Sequence, residues 1–107
     1  MIVVAKVIVD AGACGYITKI EATPNSGTEV KLNIKSDCPH VQALAEEYQT
    51  AEGMKEALAP FGEAKLFESA KKHLKHAACP VPPGIMKAVE VASGLAVPRD
   101  ATIKVEK

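Results

Sequence analysis

Three cysteines and three histidines are the side chains of this 107-residue chain best suited to hold a soft metal or to act as nucleophiles. Cys14 precedes Gly15, Cys38 precedes Pro39 and Cys79 precedes Pro80, so each thiol sits beside a residue that bends or fixes the backbone. Asp37-Cys38-Pro39-His40 opens a helical pattern, where unpaired N–H groups and the positive end of the helix dipole favour a thiolate. Asp37 opposes that effect by like-charge repulsion. Cys79-Pro80 leads in the same way through Pro82-Pro83-Gly84 into the last helical segment. A tetrahedral zinc site takes four nitrogen or sulfur ligands, and three cysteines leave one position to fill. His40 lies two residues after Cys38, an awkward spacing for chelating one ion. His73-x-x-His76-x-x-Cys79 is the better local set, and His76 is the fourth ligand it offers, with His73 or water as alternatives. Thiolates suit an iron–sulfur cluster equally. The expected metal residues are therefore Cys14, Cys38, Cys79 and His76, and the expected cofactor is zinc or an iron–sulfur cluster.

Other chemistries fare worse. Cysteine–histidine catalysis needs a nucleophile, a base and an orienting group. Cys38 with His40 or His76 and Asp10 or Asp37 can be drawn that way, without a local signature. No Cys-x-x-Cys is present, which weakens a dithiol oxidoreductase. Gly12-Ala-Cys-Gly15 lacks the spacing of a dinucleotide or phosphate loop, and the residues after it read as strand. The balance falls against an enzyme.

Elements must bring the three thiols together. Ile2 to Val9 is β-branched and mostly apolar, as expected of an inner strand. Tyr16 to Ala22 reads as a second strand, flanked by turn residues on both sides. Glu29 to Lys35 alternates, with Val30, Leu32 and Ile34 on one face. Short turns make these an antiparallel meander, so the first and third strands run the same way and Cys14 and Cys38 fall at one end of the sheet. Adjacent strands lie about 4.8 Å apart, within a metal's reach. Val41, Leu44, Ala45 and Tyr48 form a helical stripe, started by Ser36, Asp37 and Pro39. A short helix follows around Met54 to Leu58. Glu63 to Ala78 keeps the helical period, placing His73 and His76 on one face. Ile85, Ala88, Val89 and Ala92 mark a last helix, whose stripe is core or a dimer face. Ala101, Ile103 and Val105 alternate with polar residues, predicting a C-terminal strand that rejoins the sheet. The expectation is one α+β domain over residues 1–107: three N-terminal strands plus a C-terminal strand, packed in two layers on three to four helices.

Bulk properties agree. Hydrophobic residues make up 48% and charged residues 24%, with thirteen basic residues balancing thirteen acidic ones. That neutrality, with no tryptophan and four other aromatics, argues against nucleic acid. The apolar N-terminus is interrupted by Lys6, has no basic leader and is too short for a bilayer. A cytoplasmic, reducing setting is expected, where an odd number of cysteines means thiols or ligands rather than disulfides.

Cys14-Gly15, Ser36-Asp37-Cys38-Pro39-His40-Val41-Gln42-Ala43-Leu44 and Cys79-Pro80 together resemble the small TSCPD-type cysteine-containing domains over roughly Val7 to Val91. The resemblance implies metal binding, by a domain that stands alone or docks on a larger enzyme. The chain departs from that pattern: the family has a Gly-Gly-Cys-Pro-Gly-Asn-like stretch around the second cysteine, and a further cysteine where this chain has none between Cys38 and Cys79. The chain is also similar to an uncharacterised stand-alone type of small anaerobe protein, which implies no function. Two readings lead, a cysteine-based metal domain and a non-enzymatic interaction module with structural cysteines. A thiol-dependent enzyme using Cys38 is third.

Overall fold

β-Branched alternation in the first third of the chain builds the sheet. The computed structural model describes residues 4–107, so Ile2 and Val3 of the expected first strand lie outside the described residues. β1 (Ala5–Asp10), β2 (Ile17–Pro24) and β3 (Glu29–Ser36) form an antiparallel meander, and β4 (Thr50–Glu52) adds to β3. Register follows hydrophobicity. Val7, Ile20 and Ile34 are aligned across the sheet and turn one way, while Ile8, Lys19 and Lys35 turn the other.

Among the described residues, four helices cover the inward face. α1 (Pro39–Glu47) packs on β3, and α4 (Val81–Ala92) packs on β1 and β2. α3 (Lys65–His73) touches α1 and α4, and the short α2 (Gly53–Ala57) touches α4. Ile20, Leu44, Leu66 and Ile85 are fully enclosed in this layer; burying side chains of this kind stabilises by about 1.5–3 kcal/mol each. Ala88, Val89 and Ala92 are buried with Ile85, so the stripe of the last helix is core. The result is the α+β, two-layer arrangement, with an antiparallel sheet on one side and helices on the other.

Several expectations need correction. The fourth strand is Thr50–Glu52, not a C-terminal one: residues 95–107 form no regular element, and Ile103 and Val105 stand exposed. Alternation supplies a face but not a partner, and this segment pairs with no strand among the described residues. β1 is an edge strand rather than an inner one, because nothing among the described residues pairs with its outer side. The helix expected to reach Ala78 ends at His73, after which Leu74 turns into extended backbone and packs against the core. His76 consequently lies beyond the helix, and His73 and His76 do not share a helix face. Among the described residues no helix is long and apolar enough to cross a membrane.

Candidate functional site at the cysteine rim

The pairing of Asp10 with Ile17 and of Thr18 with Ser36 puts the ends of β1 and β3 on the same rim. The β1–β2 turn carries Cys14 at that rim, and Cys38 leaves β3 there. Cys79 follows by way of α4. Gly84, in the first turn of α4, lies so close over β1 that a Cβ would fall on Val9 and meet Ile20 and Val7. At its other end Ser93 abuts Gly53, whose N–H donates to Thr28 O in the β2–β3 turn at 2.8 Å. The helix thus runs away from the rim, and Cys79, just ahead of it, belongs to the same end of the molecule as Cys14 and Cys38.

Each thiol is positioned differently. Cys14 is exposed in a turn closed by Gly15 N–H donating to Gly12 O at 2.9 Å and Gly12 N–H donating to Asp10 Oδ1 at 3.0 Å. Gly12 and Gly15 have φ of 80° and 78°, the left-handed region that glycine adopts without strain. Cys38 is the N-cap of α1, yet its side chain makes no capping bond. Instead buried Thr18 donates its hydroxyl to Ser36 Oγ at 2.9 Å, and Ser36 Oγ accepts the Cys38 N–H at 3.1 Å. Ser36 thereby acts as one of the start signals read from the sequence. Cys79 N–H donates to His76 O at 3.2 Å, closing the turn into α4. Cys38 and Cys79 are half-buried and pack against the hydrophobic core, and all three cysteines are free.

The donors share an end of the molecule without being gathered on one point. Among the described residues, no group of three or more His, Cys, Asp or Glu side chains is placed to hold a metal ion. His76 is exposed. His73 turns away to the α1–α3 contact, its Nε2 3.4 Å from Glu47 Oε2. The Ser69 hydroxyl and then Lys72, whose Nζ lies 3.0 Å from Oε1, hold the Glu47 carboxyl below its usual range. An open groove of about 460 Å³ lies elsewhere, between β3 and α1, lined by Leu32, Ile34, Gln42 and Gln49 among others and by no cysteine or histidine.

One structural carboxylate escaped the sequence reading. Glu56, only 6% exposed, accepts the Tyr48 hydroxyl at 2.6 Å and the N–H groups of Lys65 and Leu66 at 2.9 Å. It joins the end of α1 to the start of α3, capping a helix whose own N-cap is Ala64. Burial, then the bond to Glu56, raises the Tyr48 phenol far above its ordinary value. A raised folded pKa gives stability that is fully present below the unfolded value of about 10 and is lost as pH climbs above it. Unfolding followed across alkaline pH should therefore show stability falling from about pH 10 upward, with a smaller fall in Tyr48→Phe. Equal slopes in the two proteins would exclude this role for Tyr48.

The class defined by fold and site is a two-layer α+β domain with thiol-bearing turns at one end. A family model described as a family of unknown function (DUF6951) matches residues 5–105, and the chain belongs to that family. The TSCPD-type resemblance finds no support in that match, whereas membership of an uncharacterised family does. Neither the curated proteins nor the solved structures include a match to the chain.

Proposed function

We propose that the chain is a small non-enzymatic domain that binds a soft metal, zinc or an iron–sulfur cluster, at its cysteine rim. Cys38 and Cys79 are the anchoring ligands, with Cys14 and His76 completing the set. What supports this reading is that three thiol-bearing turns lie toward one end of the sheet. Cys38 caps α1 and Cys79 lies two residues ahead of α4, both half-buried, whereas Cys14 and His76 are exposed. Soft thiolates favour zinc and iron–sulfur over hard cations. Metal affinity includes the cost of assembling the site.

A second reading has its own support. Cys38 and Cys79 pack against the hydrophobic cluster, as cysteines used simply as small apolar side chains do, in a domain that works by association. Metal analysis of anaerobically purified protein separates the two. The metal reading expects about one zinc, or one cluster with visible absorbance, per chain, and reduced occupancy in Cys38→Ser and in Cys79→Ser. Full occupancy in both variants, or metal-free wild-type protein after reconstitution, would refute it.

A further inference from the structure

β1 leaves a complete strand edge open, and its residues are complementary to a second copy of themselves. Ala11 N–H donates to Tyr16 O at 3.1 Å, one step beyond the pairing of Asp10 with Ile17. In an antiparallel ladder hydrogen-bonded and non-bonded pairs alternate, so Ala5, Val7 and Val9 direct their backbone groups to β2. Lys6, Ile8 and Asp10 then direct theirs to the free side. No strand among the described residues pairs with that side. β1 carries the charges Lys6 and Asp10 near its ends but no other protection: it contains no proline, its pairing with β2 is continuous and free of bulges, and the open-face side chain at its centre is Ile8, 70% exposed. Ile17, 50% exposed, sits diagonally beside Ile8 on that face.

We infer that β1 pairs antiparallel with β1 of a second copy, about a two-fold axis through Ile8, to make one continuous sheet. Centring the pairing on Ile8 satisfies every outward-facing N–H and C=O of Lys6, Ile8 and Asp10 in both copies. It also sets Lys6 of each copy opposite Asp10 of the other, Val7 opposite Val9 on the helix-covered face, and Ile8 against Ile8 on the open face. Charge, backbone and apolar surface agree on a single register, and the contact is isologous, the geometry of the commonest oligomers. Shifting the register by two residues, to pair Lys6 with Ile8, leaves charges unopposed. This inference is independent of metal at the cysteine rim.

Sedimentation equilibrium over a wide concentration range tests it. Wild-type protein should reach twice the mass of one chain. Ile8→Pro removes a donor that β2 does not use, so the variant should stay folded by circular dichroism and remain monomeric. Lys6→Asp places acid against acid twice and should raise the dissociation constant about tenfold or more. Lys6→Asp with Asp10→Lys should restore wild-type association. These surface changes keep the test decisive even should Ile8→Pro unfold. A wild-type monomer at millimolar concentration, a charge-swapped protein no better associated than Lys6→Asp, or a dimer abolished by deleting residues 99–107 would overturn the inference, the last by making the C-terminal segment the occupant of the edge.

Discussion

Replacing Glu56 with alanine should destabilise the domain by about 3–5 kcal/mol, measured by denaturant unfolding. The carboxylate accepts the N–H groups of Lys65 and Leu66 and the Tyr48 hydroxyl. Truncation strands all three, the Tyr48 hydroxyl and Leu66 N–H buried and the Lys65 N–H part-buried, and each buried unpaired polar group costs about 1–3 kcal/mol. Glu56→Gln keeps one acceptor oxygen but turns an amide NH2 toward donors, and should recover only part of the loss. Tyr48→Phe removes one partner and leaves the helix cap intact, so its cost should be the smallest of the three. The order Ala > Gln > Phe checks the assignment of Glu56 as a cap. An alanine variant within about 1 kcal/mol of wild type would contradict it.

The second large effect is expected at Gly84. A Cβ there overlaps Val9, and Val9 is a buried β-branched side chain with little rotamer freedom. The usual gain from removing a helical glycine, about 1 kcal/mol for Gly→Ala, therefore competes with overpacking of about 1–3 kcal/mol. Gly84→Ala should be mildly destabilising. Gly84→Val adds bulk and a β-branched penalty to the same contact, and should cost about 3 kcal/mol by lifting α4 from β1. The displacement would also move Cys79 relative to Cys38, so any metal affinity should fall with stability. Gly84→Val as stable as wild type would show that α4 does not sit this close.

Local pattern revealed those parts of the fold that obey local rules. β2 and β3 could be read because alternate residues face a core and solvent, and α1 and α4 because their apolar residues recur at helical spacing. β4 could not: Thr50–Glu52 is three residues long and owes its state to an edge of β3 that only the assembled fold provides. The C-terminal segment errs in the opposite sense, since Ala101, Ile103 and Val105 have a strand's alternation without a strand's partner. The end of α3 was misplaced for a related reason. Lys71 to Ala78 suits a helix locally, but Leu74 reaches the core by leaving it, taking His76 away from His73.

The placement of the thiols was legible only in part. A meander fixes where β1 and β3 end, so the sequence alone assigns Cys14 and Cys38 to one rim. The arrival of Cys79 depends on the direction of α4 across the sheet, which the close approach at Gly84 determines. Glu56 was invisible because one carboxylate among thirteen acidic residues reads as ordinary surface charge; its three partners come from distant stretches of chain. Nor does the sequence distinguish thiols that share an end of the molecule from thiols that share a ligand.

Cobalt(II) titration under anaerobic conditions addresses that last distinction directly, because thiolate-to-cobalt charge transfer appears only when sulfur binds the ion. A band saturating near one equivalent, weakened in Cys14→Ser and abolished in Cys38→Ser and in Cys79→Ser, is the result expected if the rim closes around a metal. No band in the wild-type protein, or a band undiminished in both Cys38→Ser and Cys79→Ser, would contradict it.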